Sequence, residues 1–263
     1  MFYGNAAITS FFDRFRRRRP VDTRNASAQS AVPEGVRLYV IGDIHGRGDL
    51  LEALARRIEA DKMGVTIETK AVFLGDFIDR GSQSAAVLER LSTGAFPTPF
   101  VALRGNHEQT MLDAFDDESV FESWRHFGGL ETLASYGVDV SQVMRGVGYD
   151  KARQQMVDKT PIAHRRFVDS LPLTHELGGY FFCHAGIRPG VALGRQSPAD
   201  LMWIRQEFLN SDVDHGKVVV HGHSPVSQPE IRINRINIDT GAYATGVLTC
   251  LVLEGTTRRF ITT

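Results

Sequence analysis

The sequence predicts an α/β fold, and three observations carry that expectation. Short apolar runs of buried-strand type alternate with amphipathic helical stretches in units of roughly 30 residues, the pattern of right-handed βαβ crossovers and parallel strands. Polar clusters rich in Gly, Asp and His follow directly on those runs. The chain has 263 residues, 42% of them hydrophobic, enough to bury a sizeable core without disulfide or zinc staples.

Taken in order, residues 36–41 read as a buried strand and 49–60 as the helix behind it. Leu51, Leu54 and Ile58 form that helix's apolar stripe, and Asp49 with Glu52 has capping-box spacing. Residues 71–74 predict a second buried strand, 84–91 a second helix and 100–103 a third strand, with a further helix starting just after Asn106. Residues 109–171 predict a helical insertion, broken at Gly128 and Gly129, at Gly137, and at Gly146 and Gly148. Short strands dominate the last third, at 180–183, 217–220, 236–238 and 247–253. The sequence contains no internal repeat.

Charge divides the chain into two parts. Residues 1–34 carry six arginines against Asp13, Asp22 and Glu34, a balance of +3, so the total of −1 leaves −4 for the remainder. From residue 20 to 33 the composition is that of a flexible linker. Ahead of it, Ile8, Phe11, Phe12 and Phe15 lie on one face of a short amphipathic helix that runs into Arg16, Arg17, Arg18 and Arg19. Its functional reading is weak membrane-surface docking through residues 8–19, and its bland reading a frayed, solvated tail. A basic tail over 1–34 and one folded domain over 35–263 are therefore expected.

Several classes are disfavoured. No run approaches the ~20 apolar residues of a membrane span. Near-neutral net charge argues against a dedicated nucleic-acid binder. The two cysteines, Cys183 and Cys250, make neither a disulfide framework nor a zinc motif. Cys183, next to His184 on a strand, should point into the core rather than act as a redox sensor. A cytoplasmic protein is the expectation.

Five polar clusters then stand at strand exits: Gly42-Asp43-Ile44-His45-Gly46, Gly75-Asp76-Phe77-Ile78-Asp79-Arg80-Gly81, Arg104-Gly105-Asn106-His107-Glu108, His184-Ala185-Gly186 and His221-Gly222-His223. Carboxyl ends of parallel strands share one edge, where ligands bind. Asp43, Asp76 and Asp79 gathered there would repel one another unless cations balance them. Asp, His and Asn donors suit divalent Mn, Fe or Zn, and their number fits two ions. Ions about 3.5–4 Å apart acidify a shared water and clamp entering and leaving oxygens. Arg80 and Arg104 match phosphate geometry. Together these point to hydrolysis of a phosphate ester.

The set GDIHG, GDFIDRG, RGNHE, HAG and GHS-P resembles the calcineurin-like metallophosphoesterases, specifically the bacterial and phage branch of the phosphoprotein phosphatases. The resemblance covers about residues 37–255, and the segments at 201–205 and 238–242 also look like that branch. It implies a two-sheet β-sandwich core with βαβ units flanked by helices. It further implies that Asp43 and His45 bind a first metal, that Asp76 bridges, and that Asn106, His184 and His223 complete a second site. His107, oriented by Asp79, would protonate the leaving oxygen, and Arg80, Arg104 and Arg205 would hold phosphate oxygens. Two divalent ions, manganese foremost with Fe, Zn or Mg as alternatives, would activate a bridging hydroxide for in-line attack.

The last motif has two histidines; His223 precedes Ser224-Pro225 in the family's pattern, which leaves His221 as a neighbour of the site. Asp239 either orients a ligand or begins a turn. Arg205 could instead be a surface ion-pair partner. His126, His164, His175 and His215 lie outside any motif and read as surface residues, and Trp124 with Gly128 and Gly129 as packing and hinge. The resemblance implies a serine/threonine phosphatase acting on phosphoproteins, with phosphotyrosine a further substrate. The alternative is a hydrolase of dinucleoside polyphosphates, a branch that typically lacks the aspartate before the motif arginine and has Asp where Glu108 stands. A non-catalytic phosphate-binding module is the third reading, and loss of a ligand or of His107 would have marked it.

Overall fold

Alternation along the buried strands sorts their side chains into separate cores. The computed structural model describes residues 30–263, so the helix expected at 8–15 lies outside the described residues. In β1 (Val36–Ile41), Leu38 and Val40 face one cluster while Tyr39 and Ile41 face another, as the two-residue period of a strand requires. The same split recurs in β2 (Glu68–Phe73), between Val72 and the pair Ala71 and Phe73. β3 (Phe100–Ala102) lies parallel to β2, and β2 parallel to β1. β9 (Thr249–Glu254) and β10 (Thr257–Thr262) complete this first sheet on the other side of β1, antiparallel, in the order β10-β9-β1-β2-β3.

A second sheet has the order β4-β5-β6-β8-β7: β4 (Thr174–Leu177), β5 (Tyr180–Cys183), β6 (Val218–His221), β7 (Glu230–Ile231) and β8 (Arg235–Asn237). β5, β6 and β8 run parallel, with antiparallel edges. Leu38, Val40, Val72 and Leu251 from the first sheet meet Tyr180, Phe182, Val220 and Ile236 from the second, and this inter-sheet layer is the central core. Burying each such side chain contributes about 1.5–3 kcal/mol. The architecture is the two-sheet sandwich expected.

Helices cover both outer faces. α1 (Gly48–Lys62), α2 (Ser84–Ser92) and α3 (Asn106–Asp116) pack on the first sheet with the insertion helices α4 (Glu118–Trp124), α5 (Gly129–Ser135), α6 (Tyr149–Lys159) and α7 (Ile162–Ser170). On the far face of the second sheet, Phe181, Cys183 and Val219 pack against Leu201 of α8 (Pro198–Trp203) and Phe208 of α9 (Gln206–Leu209). A short α10 (Ala242–Thr245) precedes β9.

Four local expectations change. The strand ends that carry the motifs come from two sheets rather than one parallel sheet. Asp49 and Glu52 do not form a capping box: Arg47 is the N-cap of α1 without a side-chain bond, Asp49 pairs with Arg47 at 2.6 Å, and Glu52 pairs with Arg56 and Arg90. His164 is buried, not a surface residue; it joins α7 to Tyr136 Oη (2.8 Å) and to Glu89 on α2 (2.8 Å). Residues 30–32 run along the second sheet, where Ser30 O accepts from Tyr180 Oη at 3.1 Å and Val32 is buried.

Candidate dimetal site

Among the described residues, five non-glycine residues have positive φ, and all five belong to the motif clusters: His45 (45°), Asp76 (54°), Asp79 (73°), Arg80 (68°) and His223 (64°). Such backbone costs about 1–3 kcal/mol per residue and persists where surroundings over-determine it. Here they do. Asp76 O accepts from Ile44 N (3.0 Å) and His45 N (2.8 Å), tying the exit of β2 to that of β1. Glu108, fully buried on the first turn of α3, accepts from Asp76 N and Phe77 N (both 2.8 Å) and from Gly105 N (3.0 Å).

Seated this way, the side chains converge. His45, Asp76 and His107 form one group of potential metal donors, and Asp76, His184 and His223 a second, sharing Asp76. Asp76 Oδ2 lies 3.5 Å from His45 Nε2, 3.3 Å from His184 Nε2 and 3.8 Å from His107 Nε2. Asn106 Oδ1 is 2.8 Å from His184 Nε2, and His223 Nδ1 is 3.2 Å from the same atom. His45 Nδ1 donates to Ile78 O (2.9 Å) and His184 Nδ1 to Leu74 O (3.0 Å), so each ring turns its Nε2 to the cluster. Asp43 is buried; its Oδ2 accepts from His223 N at 2.9 Å and its Oδ1 has no partner among the described residues.

Electrostatics describe a site built for cations. Burial, then the charges of Asp239 and Asp76, push the Asp43 carboxyl well up. Burial also opposes ionisation of Asp76, but His184 and His107 outweigh it and hold its value well below the usual range. Burial drives His45 down to about 3 and His223 to about 2, which keeps both as neutral ligand-type imidazoles. Three buried carboxylates, one with an orphaned oxygen, beside neutral imidazoles and an amide fit two divalent cations of the Mn, Fe or Zn kind.

His107 is held differently. Its Nδ1 donates to Asp79 Oδ2 at 2.5 Å, and its Nε2 faces the cluster. Burial lowers its pKa, but Asp76 and Asp79 reverse the balance and the net shift is upward. That bond occupies one ring nitrogen with a carboxylate, which separates His107 from His45 within the first donor group. Arg80 reaches His45 Nε2 (3.0 Å) and His107 Nε2 (3.2 Å) and lies under the Tyr243 ring, 4.7 Å from its centroid. Arg205 is exposed at the start of α9, close enough to His223 for its charge to lower that imidazole.

Not every expected residue joins the cluster. Arg104 bonds Gln109 Oε1 (2.9 Å) and Asp169 O and lines a groove between α3 and α7. His221 Nδ1 meets Gly222 O (3.1 Å), its ring stands edge-on to Phe208, and burial drives it to about 3; it belongs to neither donor group. Asp239 opens the turn into α10 by accepting from Gly241 N (2.9 Å). Three contributors went unread in the sequence. Glu108 was only a motif letter, although its position three residues after Gly105 is capping-box spacing. Tyr243 and Trp203, 40% and 48% exposed, stand beside His45 and His223 with no periodicity to mark them.

Comparison with known proteins agrees with this geometry. The calcineurin-like phosphoesterase family model matches residues 36–245. A bis(5'-nucleosyl)-tetraphosphatase PrpE [asymmetrical] of Anoxybacillus flavithermus is 24% identical over 237 residues, 81% of this chain and 88% of the relative. The protein of the same name from Bacillus cereus strain ATCC 10987 is 27% identical over 240 residues, with the same coverage. Among solved structures, a provisionally named diadenosine tetraphosphatase aligns with a TM-score of 0.60 at 19% identity, over 86% of this chain and 93% of that one. A protein serine/threonine phosphatase from Saccharomyces cerevisiae aligns at 0.51 and 15% identity, over 90% and 84%; both likenesses speak to fold. Matching motifs, sandwich and donor cluster lead to one conclusion: the chain belongs to the calcineurin-like phosphoesterase family, metal-dependent hydrolases of phosphate esters.

Proposed function

We propose that this chain hydrolyses dinucleoside tetraphosphates, the alternative to phosphoproteins among the substrates its motifs suggest. The observation that carries it is the pair of half-exposed aromatic rings at the two sides of the cluster, Tyr243 by His45 (5.5 Å between centroids) and Trp203 by His223 (6.3 Å). Base–aromatic stacking is worth about 1–3 kcal/mol per base, and a ligand with a base at each end can use both rings. The names of the PrpE relatives support the same substrate class.

In this proposal Asp43, His45 and Asp76 hold one cation, and Asp76, Asn106, His184 and His223 the other, with manganese the favoured ion. When bound, such ions supply Lewis-acid charge to the phosphoryl oxygens and acidify a water. Arg80 and Arg205 grip the non-bridging oxygens of the phosphate chain. His107 gives its Nε2 proton to the departing oxygen while Asp79 keeps the Nδ1 proton in place, a contribution of roughly 10²–10⁴-fold.

That acid pair favours a second reading, a phosphoprotein phosphatase. A serine or threonine alkoxide is a far stronger base than a departing phosphate, so it gains most from a proton donor, and Asp79 stands where dinucleoside hydrolases typically lack it. Purified chain with added manganese should turn over diadenosine tetraphosphate with a kcat/KM at least about tenfold above that for phosphopeptides or aryl phosphates, a difference of about 1.4 kcal/mol in transition-state binding. AMP and ATP as products would match the asymmetrical relatives; ADP alone would mark the symmetrical cut. A reversed preference selects the phosphoprotein reading, and no turnover of either class defeats both.

A further inference from the structure

Asp79 holds the Nδ1 of His107, the proton donor of the proposed mechanism, so what holds Asp79 matters. Its Oδ2 accepts from His107 Nδ1 and also from Trp124 Nε1 at 2.7 Å. Its Oδ1 accepts from Thr132 Oγ1 at 2.6 Å, and the same hydroxyl accepts from Asp79 N at 2.9 Å. Asp79, Trp124 and Thr132 are all fully buried. Both donors come from the insertion, Trp124 at the end of α4 and Thr132 in α5.

The turn between them grips the next residue as well. Arg80 N donates to Gly128 O at 3.1 Å. A Cβ on Gly128 would meet Arg80 N at 2.5 Å and Arg80 Cγ at 2.7 Å, and Gly128 itself has φ +100°. A Cβ on Gly129 would fall 2.6 Å from Cδ2 of the Trp124 indole. The two adjacent glycines therefore have separate duties: one lets the backbone close on Arg80, the other lets the indole lie flat beneath the turn. Asp79 and Arg80, both with positive φ, are bonded to this segment through their backbone as well as a side chain.

We propose that residues 124–132 are a clamp that positions the acid pair: Trp124 and Thr132 are positioning residues that fix the Asp79 carboxylate, and through it the tautomer and aim of His107. With two neutral donors and the imidazole held across both of its oxygens, the carboxylate has one orientation, and His107 keeps its Nδ1 proton toward Asp79 and its Nε2 toward the departing group. The inference rests on the reading of His107 as proton donor.

The test uses the full chain. In its proton NMR spectrum the 2.5 Å His107–Asp79 bond gives a downfield imidazole N–H resonance, assigned by its absence in His107→Asn. Trp124→Phe keeps the ring and deletes one donor; Thr132→Val keeps the shape and deletes the other. Each shifts or broadens that resonance, and Thr132→Ser returns it to the parental position. On graded aryl phosphates, Thr132→Val lowers kcat by roughly tenfold or more for the poorest leaving group and least for p-nitrophenyl phosphate, at unchanged KM, because only part of the general-acid contribution is lost. A parental resonance in both Trp124→Phe and Thr132→Val overturns the clamp, as does a rate loss equal across leaving groups. If Trp124→Phe does not fold, the Val and Ser variants at 132 decide. Equal loss for good and poor leaving groups in His107→Asn instead defeats the proton-donor reading, and the resonance distinguishes that failure from failure of the clamp.

Discussion

Gly222→Ala tests the tightest approach in the site. Gly222 has an ordinary negative-φ backbone, so an added methyl brings no conformational strain, only contact. The new Cβ would fall inside the van der Waals surface of Asp43 Oδ1 and 3.0 Å from Asp43 Cγ, and its three nearest atoms all belong to that carboxylate. The carboxylate must retreat by about 1.5 Å to regain ordinary contact. Leaving its rotamer costs about 0.5–1.5 kcal/mol. Breaking the 2.9 Å bond from His223 N costs about 1.5–3 kcal/mol, the range for bonds to charged groups. Together these give a loss of about 2–4.5 kcal/mol, or about 4–18 °C in Tm for a domain of this size. Thermal unfolding of the metal-loaded protein reads the stability, and elemental analysis after gel filtration reads the metal, which should fall as Asp43 turns away. Gly194→Ala is the control, since nothing lies within 4 Å of its added Cβ. Its effect should stay within about 0.5 kcal/mol. A Gly222→Ala protein with the parental Tm and metal content would refute the packing argument.

Two further outcomes follow from burial and geometry. Asp76→Asn should lower affinity for divalent metal by at least about 100-fold and reduce rate with it, because Asp76 is the residue the two donor groups share; unchanged metal stoichiometry would remove it from the bridging position. Cys183 and Cys250 are fully buried, and burial pushes both thiols up, so native protein should leave a thiol reagent unconsumed while unfolded protein consumes two equivalents; rapid native labelling would contradict both.

Where one physical signal dominates a segment, the sequence was readable. VRLYVI over 36–41 and YFFC over 180–183 are strands within the predicted bounds, because strands buried on both faces are near-continuous apolar runs, Arg37 being the one break. β4, β7 and β10 went unpredicted for the converse reason: they are edge strands, half exposed and polar, and β10 contains Arg258 and Arg259. Assigning strand exits to one sheet failed because alternation records which face is buried and not which partner strand lies beside it. Asp43, His45, Asp76, Asn106, His184 and His223 were legible through the family resemblance of their motifs, and the structure brings them into one neighbourhood. Arg104 was read with them because of its chemistry, yet its guanidinium is drawn to Gln109 and Asp169 on the helical side. Trp124 and Thr132 were illegible as partners of Asp79, since contacts across 45 and 53 residues leave no periodic trace.

The division of the cluster between two sheets has a consequence for how the molecule matures. Asp43, Asp76 and Asn106 follow strands of the first sheet, and His184 and His223 follow strands of the second. The bonds from His223 N to Asp43 and from His184 Nδ1 to Leu74 O cross the seam. β9, which flanks β1, is contributed only by residues 249–254. Neither sheet alone can assemble the cluster, and the first sheet is unfinished until nearly the whole described chain has folded. The donor set is therefore complete only where both sheets are formed and docked, and its completeness reports that the two halves have met.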